Sequence, residues 1–215
     1  MAEEPELRRG AIEPSLAEEW PGLRLAWTAF SAVPGPSPPE LRERLRLVSD
    51  RFRGPQAIAL RRQPIPHAYR VFFRHIGLEP DEQRVPVEAL ALERMKKGGF
   101  RSRSLLDDAI TIAVMDTSVP VWALDRAAVV GELEVRAAAG GESLGRGEGA
   151  FELPDGRLVV ADAAGALAVL FGDVAPGHGV TRRTREMVLF SVAVPGVPDI
   201  HVEEALWTVW DLVAG

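Results

Sequence analysis

The chain has 215 residues, of which 47% are hydrophobic and 26% are charged, and it contains no cysteine. This composition is typical of a globular protein with a substantial core, and the lack of cysteine excludes disulfides, cysteine nucleophiles and cysteine-ligated zinc. The formal net charge of −6 is opposite in sign to the excess that nucleic-acid-binding proteins usually carry, so any RNA contact must come from a local basic patch.

The first part of the chain is predicted to lead into a buried strand. Residues 1–22 are rich in acids and lack a clear period, which predicts a loose or weakly helical lead-in before a single domain over residues 23–215. The segment from Leu23 to Val33 is apolar and contains β-branched and aromatic residues, which favours a strand buried in the core.

Three helices are predicted next from apolar residues that recur at helical spacing. The first begins with a capping box of Ser37, Pro38 and Glu40, in which the serine accepts a backbone hydrogen bond and the glutamate reaches back. The ends of the other two are indicated by proline before and glycine after each helix. They lie between Pro66 and Gly77 and between Pro86 and Gly98.

The rest of the chain is predicted to be rich in strands. Residues 105–114 are apolar and suit either a helix or a strand. From Leu133 onward, short apolar runs are separated by glycine, proline and Asp-Gly, which predicts strands at LEVRAA, AFEL, RLVVADA, ALAVLF and MVLFSVAV. Apolar spacing from Val202 to Val213 predicts a closing helix with Asp199 as its N-cap. Helices early and strands late favour the α+β class.

The order of several short motifs resembles one protein family. The motifs are Ala68-Tyr69-Arg70, Glu88-Ala89-Leu90, Asp107-Asp108, Pro120, Leu124-Asp125-Arg126, Val135-Arg136, Gly141-Glu142, Leu158 to Asp162, and Thr184. Their order resembles the tRNA-editing domain of the bacterial phenylalanyl-tRNA synthetase beta subunit, the module formed by its fused third and fourth domains, and especially its free-standing relatives. The resemblance implies an α+β fold with a Greek-key β-barrel core decorated by helices.

The same resemblance implies where a ligand pocket would lie and how it differs from the family pattern. Thr111 stands where the family has asparagine, and Trp122 stands where synthetase versions often have histidine. The scaffold is therefore expected to be retained while the hydrolytic pocket is changed, and no catalytic residue is identified. The residues expected near the pocket are Asp108, Thr111, Trp122, Asp125, Asp173 and His178.

Three of these residues have an ordinary structural interpretation that stays open at this point. Trp122 could pack in the core instead of stacking on a ligand. Asp125 could cap its turn by accepting hydrogen bonds from the local backbone. His178, between glycines, could be a surface residue of an exposed loop.

Two basic clusters could contact phosphates. Glycine lets the backbone approach a phosphate closely, arginine can bind one through two hydrogen bonds, and Phe100 adds a face for stacking. Runs of charge are mostly solvated surface, however, and the acidic total weakens the case for RNA contact. The candidate RNA-binding residues are Lys96, Lys97, Arg101 and Arg103 in KKGGFRSR, and Arg182 and Arg183 in RRTR.

Two functions of different classes are expected. The first is a module related to synthetase editing domains that binds the 3′ end of an aminoacyl-tRNA, with hydrolysis of a mischarged aminoacyl ester left open and no ligase active site in this chain. The alternative is a non-catalytic module that binds a small amino-acid-like metabolite, which the replaced pocket histidine and the net charge of −6 favour.

The sequence lacks the usual patterns of a metal site, a membrane span and a signal peptide. The histidines do not have the spacing of a helical metal-binding pair, so no metal and no cofactor are expected. No apolar run reaches the ~18 residues of a membrane span, and the acidic N-terminus does not resemble a signal peptide. A cytoplasmic location without membrane contact is therefore expected, and the oligomeric state is left open.

Overall fold

The structure is a computed structural model that describes residues 5–215. Within this range the strands are β1 Arg8–Ile12, β2 Arg24–Ser31, β3 Trp122–Asp125, β4 Glu134–Ala137, β5 Ser143–Leu144, β6 Phe151–Glu152, β7 Leu158–Asp162, β8 Gly165–Val169 and β9 Glu186–Ala193. The helices are α1 Pro14–Glu19, α2 Pro39–Arg51, α3 Gly54–Leu60, α4 Pro64–His75, α5 Pro86–Lys97, α6 Leu105–Thr117 and α7 Asp199–Ala214. No described helix is both long enough and apolar enough to cross a membrane.

The described chain divides into two compact units, each assembled from two segments. The helical unit contains residues 35–121 and 193–215 and carries α2 to α7. The sheet unit contains residues 5–34 and 122–192 and carries α1 and, apart from the last residue of β9, all the strands. The single domain predicted over residues 23–215 stays a prediction, because compactness alone does not show which segments fold independently.

The helix α6 forms the centre of the helical unit and packs mainly against α7 and α2. Its residues Ala109, Ile112 and Ala113 are fully buried. The apolar run over 105–114, which suits helix or strand by pattern, is helical because Ser104 caps it: the Ser104 side chain accepts a hydrogen bond from the backbone N–H of Asp107 at 3.1 Å. Acidic residues in its first turn also suit the positive end of the helix dipole.

Glycine marks the ends of α4 and α5 as predicted, and α5 begins at Pro86. The helix α4 begins at Pro64, so Pro66, which was predicted to precede the helix, lies inside it. After α4, Gly77 has a φ of 76° and its N–H donates to the Arg74 carbonyl at 3.1 Å, while Leu78 N–H donates to the Phe73 carbonyl at 2.8 Å. These two bonds form a Schellman motif. Gly98 at the end of α5 is likewise left-handed. The helix α3, between the first two predicted helices, was not predicted.

Two predicted helix caps are wrong. The helix α2 begins at Pro39 with Pro38 as N-cap, and Ser37 donates its hydroxyl hydrogen bond to the Asp108 carboxylate at 2.5 Å instead. The hydroxyl therefore donates a charge-assisted hydrogen bond to a buried carboxylate, whereas as an N-cap its oxygen would have accepted from a backbone N–H of the first turn. The helix α7 begins at Asp199 itself, with Pro198 as N-cap, so the aspartate contributes through the helix dipole rather than as the cap.

In the sheet unit the strands run in the order β3-β9-β2-β1-β4-β7-β8-β5-β6. The strand β1 pairs antiparallel with β2, where Arg8 faces Trp27, and parallel with β4, where Ala11 faces Glu134. Part of the predicted lead-in over residues 1–22 is therefore an interior strand, followed by α1; residues 1–4 of that segment lie outside the described residues. The buried strand predicted from residue 23 is confirmed as β2.

The α+β class is confirmed, but the closed Greek-key barrel is wrong. The sheet is a curled half-barrel that starts at β3 and ends at β6, and no strand pairing within residues 5–215 joins these two edges. Closure needs continuous pairing around the ring, and β5 and β6 at one edge have only 2 residues each. The strands predicted after residue 133 are confirmed as β4, β6, β7, β8 and β9, whereas β3 and β5 were not predicted.

A half-buried ion pair links β4 to the loop that precedes β5. The Arg136 guanidinium donates two hydrogen bonds to the Glu142 carboxylate, at 2.7 and 2.6 Å. That carboxylate also accepts from the backbone N–H groups of Ala139 at 3.0 Å and Ala166 at 3.1 Å. The hydrogen bonds from Arg136, and then those from the backbone, hold the pKa of Glu142 below its usual value.

This carboxylate gives a testable pH dependence. Because the pKa of Glu142 is lower in the folded state, its contribution to stability is present above the unfolded value of about 4.3 and is lost as the pH falls through the folded pKa. Glu142→Gln is expected to lower the free energy of unfolding by about 1–2 kcal/mol at pH 7 and by less near pH 3. Urea unfolding of the wild type and the variant at pH 7 and near pH 3 measures this loss of stability. Glu152→Gln on β6 is the matched control, and an equal loss at both pH values would contradict the expectation.

Candidate functional site

The residues predicted for a ligand pocket are divided between the two units. Asp108 and Thr111 lie on α6 of the helical unit, whereas Trp122, Asp125, Asp173 and His178 belong to the sheet unit. The basic residues divide in the same way. Lys96, Lys97, Arg101 and Arg103 belong to the helical unit, and Arg182 and Arg183 belong to the sheet unit.

In the sheet unit, Trp122 packs among aromatic rings. Its ring stacks on Phe190 with a centroid distance of 5.6 Å and an interplanar angle of 12°, and it lies at 5.9 Å and 53° from Phe171. Its indole N–H donates to the Gly172 carbonyl at 3.1 Å. These contacts support the packing interpretation of Trp122, since its N–H and one ring face are already used by the protein.

Asp125 caps the turn that follows β3. One carboxylate oxygen accepts from Ala127 N–H at 3.0 Å and the other accepts from the Thr184 hydroxyl at 2.7 Å. The Asp125 backbone N–H donates to the His178 carbonyl at 2.9 Å, so these two predicted residues meet through the backbone. The local cap expected as the alternative for Asp125 is therefore present.

His178 is buried, so its interpretation as an exposed loop residue is wrong. Its Nδ1 lies 2.9 Å from the Pro176 carbonyl and donates to it, since a carbonyl can only accept. Asp173 is exposed, and its backbone carbonyl accepts from Val169 N–H at 3.0 Å. Arg182 and Arg183 lie on an exposed turn that Thr184 closes by accepting from Thr181 N–H at 3.0 Å.

In the helical unit, the structure brings together predicted pocket residues and predicted phosphate-binding residues. They line a recess of about 20 Å³, which has room for about one water molecule. Its lining residues are Leu45, Leu90, Glu93, Phe100, Arg101, Arg103, Asp108 and Thr111. The recess therefore joins the KKGGFRSR segment to the first turns of α6.

Asp108 holds this recess together. It is 2% exposed, and one carboxylate oxygen accepts from the hydroxyls of Ser37 and Ser102, both at 2.5 Å. The other oxygen accepts from Arg103 N–H at 3.0 Å. Because both oxygens bind groups of the protein, Asp108 is a positioning residue rather than a direct ligand contact. Thr111 likewise donates to the backbone carbonyl of Asp107 at 2.8 Å.

A larger cleft of about 600 Å³ adjoins the recess and shares Glu93 with it. Its volume is within the range of small-molecule sites, roughly 300–1,000 Å³. Its lining residues are Asp81, Glu82, Arg84, Ala89, Leu92, Glu93, Lys96 and Lys97. Sequence reasoning identified Lys96 and Lys97 but missed Asp81, Glu82 and Arg84. Their only signal is a dense run of charges just before Pro86.

Two carboxylates of the cleft are already paired with basic residues of the protein. Glu93 accepts from Lys97 and from Arg103, both at 2.5 Å, and the hydrogen bond from Lys97, with the charge of Arg103, lowers the pKa of Glu93. Asp81 accepts from Arg70 at 2.9 Å, and this hydrogen bond lowers the pKa of Asp81. These two acids stay ionised and keep their partners near neutral pH.

Arg70 fixes the loop that carries Asp81. Its side chain is 7% exposed, and besides the bond to Asp81 it donates to the Glu88 carboxylate at 2.8 Å. Arg70 is therefore buried and bridged to two acids. The other Glu88 oxygen is buried without a hydrogen-bond partner. The buried Arg70 therefore holds Asp81 in the wall of the cleft and is itself held by its ion pair with Glu88.

No group of three His, Asp or Glu side chains in residues 5–215 has the geometry of a metal site. The expectation that the protein needs neither metal nor cofactor stays a prediction, because it concerns what the protein binds in solution.

The chain has a distant likeness to solved structures. No protein-family model and no curated protein matches this sequence. Among solved structures, an N-terminal fragment of the phenylalanyl-tRNA synthetase beta subunit from Pyrococcus horikoshii matches with a TM-score of 0.41 and 15% sequence identity. The match covers 51% of this chain and 40% of that chain, so it spans well under two thirds of the fragment.

Proposed function

We propose that this protein is a module related to synthetase editing domains that binds the aminoacylated 3′ end of a tRNA at the helical unit. The observation that carries the proposal is the shared recess, where Asp108 and Thr111, expected at a ligand, meet Arg101 and Arg103, expected at phosphates. The adjoining cleft supplies the volume that the recess lacks.

The chemistry of an aminoacyl-tRNA end fits the charges at this site. Such an end carries an α-ammonium group, an adenine and phosphates. Glu82 in the cleft can accept from the ammonium, and the half-buried ring of Phe100 offers a face to the adenine. Lys96 and Arg101 are exposed, and in the part of the chain that the structure describes neither has a carboxylate within 4.0 Å. Both can therefore pair with phosphates.

Binding is supported more directly than hydrolysis. Hydrolysis of the aminoacyl ester needs a positioned water and a group that stabilises the developing oxyanion. The recess has the volume of one water, but the carboxylate oxygens of Asp108 accept from Ser37, Ser102 and Arg103 instead. Whether this protein also clears mischarged tRNA is therefore decided by experiment. A cytoplasmic location is part of this proposal, because the proposed ligand is a tRNA.

The proposal predicts salt-dependent retention of aminoacyl-tRNA. We expect the wild-type protein to retain tRNA charged with tyrosine or other amino acids at low salt, with affinity falling as salt rises. Lys96→Ala and Arg101→Ala should each weaken binding and reduce the slope of log affinity against log salt by about 1. Filter binding measures both quantities, and release of free amino acid from the same samples measures deacylation.

Arg42→Ala is the matched control for this experiment, because Arg42 is an exposed residue of α2 and lines neither the recess nor the cleft. It should leave both affinity and slope unchanged. If the wild-type protein retains no tRNA at low salt, or if Arg101→Ala and Arg42→Ala behave alike, the RNA-binding role of this site is wrong.

The alternative function, a non-catalytic module for an amino-acid-like metabolite, is favoured by the mixed charge of the cleft and the net charge of −6. A free ligand that binds only the folded state raises the melting temperature by mass action. A shift with free amino acids but no tRNA retention would select this alternative. A shift removed by Trp122→Ala but not by Glu82→Gln would place the ligand in the sheet unit.

A further inference from the structure

The charges of the cleft also bear on which amino-acid-like group it accepts. We propose that the cleft selects a group whose side chain ends in an anion, either a carboxylate or a phosphate monoester. This inference rests on the proposed function only in using the same cleft. It names the class of the ligand's side chain. The resemblance to a phenylalanyl-tRNA synthetase would instead suggest an aromatic side chain.

The composition of the cleft argues against an aromatic side chain. Six of its eight lining residues are charged, and the two apolar ones, Ala89 and Leu92, are small or aliphatic. The charged heads of these residues are the groups with which a ligand can pair, and the carbon ring of an aromatic side chain offers them no hydrogen-bond partner. No ring lines the cleft to compensate by stacking.

Pairing within the protein decides which charges are available to a ligand. Asp81 pairs with Arg70, and Glu93 pairs with Lys97 and Arg103. Among the described residues, the lining groups without any ion-pair partner are one acid and two bases. They are Glu82, Arg84 and Lys96.

An amino acid with an anionic side chain matches this set. Its α-ammonium group pairs with Glu82, and its α-carboxylate can accept two hydrogen bonds from the planar guanidinium of Arg84. Lys96 is then left for a second anion. A ligand with a neutral side chain would leave the ammonium group of Lys96 unpaired. The cleft should therefore prefer a ligand whose side chain carries the second anion. In an aminoacyl ester, the α-carboxyl group is esterified, and a phosphate of the tRNA end takes its place at Arg84. Lys96 then pairs with an anionic side chain or, where the side chain is neutral, with a further phosphate.

The test measures binding of free amino acids to the whole chain by calorimetry and by thermal shift. The probes are L-glutamate, L-glutamine, O-phospho-L-serine, L-serine and L-tyrosine. We expect glutamate or phosphoserine to bind about tenfold more tightly than its neutral counterpart, and tyrosine to bind no better than glutamine. The comparison of glutamate with phosphoserine distinguishes the two sources of the anion.

Variants assign the preference to particular groups. Lys96→Met should bring the ratio of glutamate to glutamine affinity to about 1, Lys96→Arg should restore it, and Glu82→Gln should weaken all amino acids alike. Arg42→Met, the charge-matched control outside the cleft, should leave the ratio unchanged. Circular dichroism of each variant checks that it is folded.

The possible outcomes separate this inference from the function proposed above. Equal affinity for glutamate and glutamine, tighter binding of tyrosine, or no binding of any probe would overturn the selection of an anionic side chain. None of these results would remove tRNA retention at low salt, which tests the proposed function by itself. If the protein does not retain tRNA but still prefers glutamate over glutamine, the proposed function is wrong and the cleft is a site for a free metabolite.

Discussion

Gly10→Ala is expected to lower the free energy of unfolding by about 2–3 kcal/mol, because a side chain at this position has no space. A Cβ at Gly10 would lie 2.6 Å from the Leu133 carbonyl oxygen and would overlap the Leu25 side chain. Leu25 is 1% exposed, and the Leu133 carbonyl accepts a hydrogen bond from Ala11 N–H at 3.0 Å. Neither neighbour can move without disturbing the interior of the sheet.

Urea unfolding of the wild type and the variant measures this loss. Gly35→Ala is the matched control, because a Cβ at Gly35 meets no heavy atom within 4 Å; its effect should stay within about 0.5 kcal/mol. If the two variants lose the same stability, residues 8–12 do not form an interior strand, and the N-terminal segment is the loose lead-in that its composition suggests.

Local sequence signals predicted the positions of α4 and α5 well, but they missed β1, which depends on pairing with neighbouring strands. Proline before and glycine after α4 and α5 fix their ends through backbone geometry that needs no tertiary contact. The strand β1 reads RRGAI and is mostly exposed, so its own sequence has no strand pattern. It forms because β2 and β4 bond to its two sides. The edges of the sheet were unpredictable for the same reason, since closure depends on long-range pairing.

The candidate site was predictable where a motif placed charges close together in sequence. Arg101 and Arg103 were identified from such a motif, and both line the recess. Asp108 was expected to face a ligand, but Ser37, 71 residues earlier, uses its carboxylate, and no sequence pattern links such distant residues. Glu82 and Arg84 were missed because charges in a loop have no period. Which charges are free depends on pairing, and pairing is visible only in three dimensions.

Arg70→Met is expected to lower the free energy of unfolding by about 3–5 kcal/mol, because it leaves a buried carboxylate without its partner. Arg70 and Glu88 are both 7% exposed at their side chains and are joined at 2.8 Å. One Glu88 oxygen already lacks a hydrogen-bond partner, so removing Arg70 leaves the charge uncompensated. The double variant Arg70→Met/Glu88→Leu should recover most of the loss, since it removes both charges.

Chemical unfolding of the two single variants and the double variant gives the coupling between Arg70 and Glu88. Arg46→Met is the control, because its ion pairs with Glu43 and Asp50 lie on the surface and are screened by solvent, so it should cost far less stability than Arg70→Met. A double variant as unstable as Arg70→Met would mean that the pair is not an isolated ionic contact.

The double variant also separates the structural role of Arg70 from its effect on the cleft. With Arg70 removed, Asp81 loses its 2.9 Å hydrogen bond and keeps only the longer 4.0 Å contact with Arg61. Its negative charge is then less compensated and adds to that of Glu82 in the cleft. Repulsion between these acids and an anionic side chain should then reduce the preference for glutamate over glutamine, although stability has returned. Restored stability with an unchanged preference would show that Asp81 has no influence on the ligand, and that selection depends on Arg84 and Lys96 alone.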